Sequence, residues 1–469
     1  MVNIFKNWGN IKNIERDVEG ESDFSIKEKR KALEVSIKEG SVSQFSSGIG
    51  ESYITPFALA LKANSWHVGL LSSLSGLANP LSQLIGSGMM ENNSRKKIVR
   101  RFVLLQAFIW IPIIFLCFLF WKGLFLNYLP YALIVLFTLF VSCQGIMHPP
   151  GFSWMGDLVP EKDRGKYFSI KNRVNGTISL IGFLLGAIIL DFFKTKGFAI
   201  LGFGIIFSIA ASFRIYSFFI LKKMYSPKFK MKKESYFSFR DFLKRFDNYG
   251  KFALYQAFFN LSLMIASPFF AVYMLQELKF SYIMLMAVII SGSIFHIALS
   301  PIIGRFSDRF GNLRLIHLAT FLFAINPLLW MFIKDPLFLI IVPQFLSGLA
   351  NAAFTIGTTN FTYDSVSPQK RGICVAYTSI MSGIGVFIGS IIGGVLLNNV
   401  KLDFVSPFMF TFAIASIARL CVGLFALPLV KEEKKAERLP PAHINLAHPF
   451  KSIHSEIGFF KNILKNKNI

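Results

Sequence analysis

Long apolar runs separated by short, basic connections organise this 469-residue chain. Many of the runs reach the roughly 20 apolar residues that cross the hydrocarbon core of a bilayer. The pattern predicts helical cores near 43–62, 66–90, 99–121, 128–153, 168–190 and 198–221. A less apolar stretch follows, with Lys228, Lys230, Lys232, Lys233, Arg240, Lys244 and Arg245, and reads as a linker. A second series of cores is predicted near 252–275, 281–304, 314–333, 337–362, 373–397 and 404–428. The fold expected is an all-α membrane protein of about 12 transmembrane helices in two six-helix repeats. Its parts are a tail 1–40, a half 41–221, a linker 222–251, a half 252–430 and a basic tail 431–469, where Pro440-Pro441 bars a helix. In the first tail, Phe24 to Ile37 reads either as an interfacial helix or as disordered chain. No secretory leader pattern precedes it.

Composition agrees, at 53% hydrophobic with 53 Phe. The net charge of +24 would suggest nucleic acid in a soluble chain. Here the basic residues fall in connections between apolar runs, which is a topology signal. One side collects Arg95, Lys96, Lys97, Arg100, Arg101, Lys162, Arg164, Lys166, the linker, Arg305, Arg309, Arg314, Lys370 and Arg371. The other holds Lys62, Lys122, Lys194, Lys196, Lys279, Lys334 and Lys401. The rich side is expected to be cytoplasmic, with both termini, in the plasma membrane.

The two series are related. Gly156-Asp157 through Arg164-Gly165 aligns with Tyr363-Asp364 through Arg371-Gly372, and the same offset sets Gly176, Gly182 and Gly186 on Gly383, Gly389 and Gly393. Small residues at such spacings let membrane helices approach closely. Phe207 to Arg214 matches Phe412 to Arg419, and Gln44 with Pro56 matches Gln256 with Pro268. An even number of spans per copy gives both copies one orientation.

Gly304, Asp308, Arg309, Gly311 and Arg314 stand as Gly-x-x-x-Asp-Arg-x-Gly-x-x-Arg between the second and third spans of the second series. This closely resembles the short loop motif of the major facilitator superfamily, and with the six-plus-six pattern the resemblance covers roughly residues 41–430. In the first copy Glu91, Asn92 and Ser94 replace Asp308, Arg309 and Gly311, while Arg95 and Lys97 keep the basic end. The resemblance implies gating loops at these positions and a solute site near midplane between parallel halves. It also implies that the first and fourth spans of each half line the cavity. Candidates there are Gln44 and Tyr53, Gln144 and Trp154, Gln256 and Asn260, and Asn351, Thr355 and Asn360. A tight, positively charged turn that only fixes topology is the other reading of the motif.

Polar residues inside spans carry the rest, because a charge near the bilayer centre costs at least about 2.5–3.5 kcal/mol. Glu51 lies near the middle of the first span and the repeat sets apolar Leu263 opposite it. Burial favours a neutral carboxyl, so such a group can exchange protons. It is the candidate proton or substrate site, the alternative being a glutamate hydrogen-bonded to a neighbouring hydroxyl. His148, beside Pro149-Pro150, is either a proton relay or a satisfied core histidine. Asp157 with Arg214, and Asp364 with Arg419, are expected to pair within their halves. Snorkelling of both arginines to the interface is the alternative.

No cofactor, metal or phosphate-binding loop is indicated, and Cys117, Cys143, Cys374 and Cys421 have no paired spacing. The Gly-Pro element of many drug/proton antiporters is absent from the fifth span. The expected function is secondary transport of a small solute coupled to protons, by a monomer among membrane lipids, with no enzymatic activity and no nucleic-acid partner. A receptor or scaffold that kept the fold is the alternative. Orientation is tested by single cysteines on a background free of native ones. A cysteine at Lys122 is expected to react with an impermeant maleimide on intact cells, and one at Lys97 only after permeabilisation.

Overall fold

The apolar runs fold as helices. A computed structural model describes residues 23–159, 164–227, 239–244, 247–366, 368–400 and 405–433. The first half comprises α1 (Asp23–Ile49), α2 (Ile54–Ala60), α3 (Ser65–Met89), α4 (Arg95–Trp121), α5 (Leu129–Leu158), α6 (Arg164–Thr195) and α7 (Ala199–Lys222). A short α8 (Phe239–Leu243) leads to α9 (Asn248–Met264), α10 (Phe270–Gln276), α11 (Tyr282–Phe310) and α12 (Asn312–Phe332). The remainder is α13 (Pro336–Leu339), continued by a wide turn into α14 (Phe345–Ser365), then α15 (Pro368–Asn399) and α16 (Pro407–Cys421).

Ten helices among the described residues are long and apolar enough to cross a membrane. They match every span expected after residue 95. The first two expected spans differ in composition: the charges of α1 fill its first 17 residues, Asp23 to Glu39, and α3 is rich in serine and glycine. A single-turn break at Glu51–Tyr53 separates α1 from α2, and a matching break at Ser267–Phe269 separates α9 from α10.

These breaks correct the register of the internal repeat. They align Glu51 with Ser267 and Tyr53 with Phe269, rather than Glu51 with Leu263, so the pairing of Gln44 and Pro56 with Gln256 and Pro268 is one turn out. The frame defended by the structure keeps large buried side chains opposite each other, as with Tyr53 and Phe269. No carboxylate stands opposite Glu51 in either register.

Residues 28–40 are neither an interfacial helix nor free tail. Ala32, Leu33 and Ile37 on α1 are buried in one core with Trp154, Tyr167 and Leu221. Contacts divide the chain into two compact units, one of residues 1–235, 264–286 and 386–408, the other of 236–263, 287–385 and 409–469. In the first unit α1 packs on α6 and α7, α3 on α5, and α4 on α5 and α7. A Cβ on Gly48 would lie 2.2 Å from the Ser179 carbonyl, so α1 and α6 meet backbone to backbone. Gly182 serves the same crossing, whereas Gly176 faces open space. The second unit is held by α12 against α14 and by rings such as Phe252 on Phe361, 4.4 Å between centroids.

The Gly304–Arg314 motif is not a loop. Helix α11 runs to Phe310 and α12 starts at Asn312, leaving Gly311 as the turn, at φ +92° and ψ 164°. That region of backbone space is essentially open only to glycine. Gly311→Ala is therefore expected to cost about 1–3 kcal/mol. Gly304→Ala, on a helix with nothing around its Cα, should be neutral or stabilising by up to about 1 kcal/mol. Thermal unfolding of the two purified variants checks the contrast.

Candidate functional site

One face of α1 carries Glu39, Ser43 and Ser47 at intervals of four residues, and Glu51 continues the series in the break that follows. Side chains so spaced lie one above another on a helix. In the first unit this stripe meets polar groups from α4, α5, α6 and α7. Glu51 accepts from Ser47 Oγ at 2.5 Å and from Gln144 Nε2 of α5 at 2.9 Å. The carboxylate sits where the helix breaks, directly after Gly50, at which any Cβ would come within 2.8 Å of the Trp110 ring. The indole thus fixes the backbone that carries Glu51.

Two turns back from Glu51, Ser43 accepts from the guanidinium of Arg214, which is buried. Arg214 Nε also donates to Gln106 Oε1 at 2.9 Å, and its Nη2 donates to the same oxygen. The amide of Gln106 cannot turn round, because its Nε2 donates to the Phe140 carbonyl at 2.9 Å. Arg214 lies within electrostatic reach of Glu51, Glu39 and Cys143. Glu39 Oε1 accepts from Ser217 Oγ at 2.7 Å.

Gln144 also lines an open cavity of about 280 Å³ with Met147, His148, Gly151, Phe152, Met155 and Phe168. His148 is exposed there and stacks on Phe152, so it is not a satisfied core histidine. Two of the expected cavity residues are packing residues instead. Tyr53 is fully buried and donates its hydroxyl to the Phe183 carbonyl, and Trp154 is buried with Nε1 on the Tyr225 carbonyl at 3.0 Å. Gln44 is exposed.

The remaining cavity candidates belong to the second unit. Asn260 Nδ2 donates to the main-chain carbonyl of half-buried Gln256 at 2.8 Å. Asn351 turns its amide onto the Ser347 carbonyl, also at 2.8 Å, while Thr355 is exposed. Asn360 Nδ2 donates to Ser307 Oγ at 3.0 Å, so it braces the motif helix.

The charge pairs differ from expectation. Asp157 pairs with Arg95 at 2.7 Å rather than with Arg214, and buried Arg95 also donates to Ser153 O and Oγ at 2.9 and 3.0 Å. Asp364 accepts from Asn312 Nδ2 at 2.7 Å. Arg95 and Asn312 each open the third span of their half, so the two contacts are the same clamp, ionic in one copy and amide to carboxylate in the other. Arg419 makes no partner of Asp364. Its three donors go to the carbonyls of Ser262, Phe323 and Leu263 at 3.4, 2.7 and 2.9 Å. Neither Arg214 nor Arg419 snorkels, since both are buried.

Among the other motif residues, Glu91 and Lys97 are exposed, and Arg309 is exposed beside the Phe310 ring. Arg314 donates to the Phe310 carbonyl at 3.1 Å. The side chain of Asp308 lies outside the described residues. At this corner Ser307 and Asn312 are bonded to each other, and Glu432 accepts from the Leu313 amide at 2.6 Å.

The sequence pattern of the Major Facilitator Superfamily matches residues 40–255 and 252–469, almost the whole described framework. The chain belongs to the Major Facilitator Superfamily. It is a multi-pass membrane protein of that family. It is 30% identical over 146 residues to multidrug resistance protein 1 of Bacillus subtilis and 29% over 101 residues to the multidrug export protein EmrB of Haemophilus influenzae. These matches span 31% and 21% of this chain, and only 36% and 19% of those proteins. Solved structures share the fold at 15% identity. A mutant of the nucleoside transporter NupG gives a TM-score of 0.65 over 85% of this chain and all of that one. A bacterial homologue of the iron transporter ferroportin gives 0.62 over 87% and 99%.

The superfamily repeat shows where this transporter departs from symmetry. Gln106 and Phe323 are each the twelfth residue of their helix, α4 and α12. The break register likewise sets Glu39, Ser43 and Glu51 against Tyr255, Phe259 and Ser267. Among the described residues, polar side chains bind the arginine of the first half, and main-chain carbonyls that of the second. Gln106, Ser43, Glu39, Ser307 and Asn312 were not singled out from sequence, although the four-residue stripe on α1 and a lone glutamine in the apolar run of α4 are visible there.

The clamp assignment is tested by double-mutant cycles on unfolding in detergent. Arg95→Gln and Asp157→Asn should couple by about 1 kcal/mol or more, whereas Arg214→Gln and Asp157→Asn should add within about 0.5 kcal/mol.

Proposed function

We propose that this chain is a secondary active transporter of a small solute, coupled to protons through Glu51. The observation that carries the reading is the position of that carboxylate. It lies at a helix break, bound by one hydroxyl and one amide, and Gln144 joins it to a cavity that His148 also faces. Neither Ser47 nor Gln144 compensates a full charge, so Glu51 can release or take a proton without breaking an ion pair at contact distance. A carboxylate beside an aromatic, methionine-lined cavity favours a cationic or polyhydroxylated solute with an apolar body. Both halves rocking about such a site, in the plasma membrane with the basic connections facing the cytoplasm, is the working cycle this reading implies.

The receptor or scaffold reading rested on the altered first-half motif. Because Arg95 and Asp157 form the clamp in that half, the alteration does not favour loss of transport.

The test uses proteoliposomes of the purified chain and a panel of labelled nucleosides, lipophilic cations and peptides. For whichever solute is moved, Glu51→Gln is expected to abolish accumulation driven by a pH gradient, by tenfold or more, while solute counterflow survives. If the variant retains both the accumulation and its pH dependence, the coupling role is wrong.

A further inference from the structure

Two charged side chains take no part in the coupling step as so far described: Glu39, within electrostatic reach of Arg214, and Lys171, within electrostatic reach of Glu39. Glu39 is on the same stripe of α1 as Glu51, three helical intervals of four residues away, which is about 18 Å along the axis. Lys171 reaches in from α6 and donates its ammonium to Ser36 Oγ at 2.8 Å. Glu39 gives its Oε1 to Ser217 and not to Lys171, yet the two charges act on each other, and Tyr167 also faces Glu39. The groups facing the stripe are then Gln144 from α5, Lys171 and Tyr167 from α6, and Arg214 and Ser217 from α7, with Gln106 from α4 and Cys143 from α5 beside Arg214. His148 stands one turn from Gln144 on the cavity.

The charge balance of this set decides what a proton on Glu51 does. With Glu39 and Glu51 ionised, their charges offset those of Lys171 and Arg214. A proton on Glu51 leaves a surplus positive charge in a buried place, with Glu39 as the remaining carboxylate near Arg214 among the described residues. Arg214 cannot follow a change by moving out, because Gln106 and Ser43 hold its guanidinium from two helices. The fixed cation must therefore feel both carboxylates at once, Glu51 the more strongly.

We propose that Glu39 and Lys171 are positioning residues that set how readily Glu51 takes a proton, acting through the charge balance at Arg214. The proposal rests on Glu51 being the proton-binding group. Removing the negative charge at Glu39 leaves the cations less compensated, so they hold Glu51 ionised more strongly. Removing the positive charge at Lys171 does the opposite. A merely structural role for either residue has no reason to give opposite signs.

The second half supplies an internal contrast. At the places of Glu39 and Ser43 it has Tyr255 and Phe259, and the arginine there is neutralised by dipoles of carbonyls rather than by carboxylates. A device for holding a variable charge exists in one copy only, the copy that holds Glu51.

The experiment is infrared titration of the protonated-carboxyl band in the full-length protein in lipid bilayers, with no solute present. Glu51→Gln is expected to remove a pH-dependent component. Glu39→Gln should move the midpoint of that component down by about 0.7 pH unit, from the Coulomb energy at about 18 Å with an effective dielectric constant near 20. Lys171→Gln should move it up, and the double variant should return it toward the wild-type midpoint. Glu39→Asp and Lys171→Arg keep the charge and should leave it in place. If Glu51→Gln removes no component, the reading of Glu51 itself fails. If it does remove one, but Glu39→Gln leaves the midpoint unmoved, or moves it equally with Glu39→Asp, or in the same direction as Lys171→Gln, the proposal is overturned. Should Lys171→Gln fail to fold, the Glu39→Gln and Glu39→Asp pair decides alone.

Discussion

A guanidinium cannot be left without partners inside a membrane protein, and the satisfaction of Arg214 governs the arrangement of the first unit. Taking an ion out of water costs several kcal/mol even after relaxation, so each donor needs an acceptor in fixed geometry. Gln106 on α4 supplies one oxygen to two of the donors, and the Phe140 carbonyl on α5 fixes the orientation of that amide. Ser43 supplies another acceptor from α1. One side chain on α7 thereby ties together four helices, and it does so beside the stripe that carries Glu51.

The equivalent arginine of the second half solves the same problem by other means. The end of α9 at Met264 leaves the last carbonyls of that helix without their usual amide partners four residues on. Arg419 takes the Ser262 and Leu263 carbonyls near that break, and the Phe323 carbonyl of α12. The helix interruption and the buried cation thus satisfy each other. The arginine stands in both copies, but among the described residues only the first has carboxylates within electrostatic reach of it.

The corners between the second and third spans show a similar economy. In one copy Arg95 and Asp157 join the start of the third span to the end of the fourth, and in the other Asn312 and Asp364 make the same join without a cation. The motif that identified the family survives best where the clamp is neutral. Where the motif has drifted, its basic end has become the buried half of an ion pair.

The sequence by itself determined the class of this protein. Apolar length sets which segments cross a bilayer, and glycine at the Gly311 turn, the repeated Asp157 and Asp364, and the intramembrane Glu51 can all be seen in the order of residues. These features are local, or repeat at a constant spacing within a half. The sequence also led to Glu51 without its partners, and to an Asp–Arg pairing that does not form. Which face of α1 turns toward α7, and whether Arg214 meets an aspartate or a glutamine, depend on helix rotation and on crossings such as that of Gly48 over Ser179. Tertiary packing alone decided those, because a hydrogen bond between residues more than a hundred positions apart is fixed by where two rigid helices cross, and no spacing along the chain records that crossing.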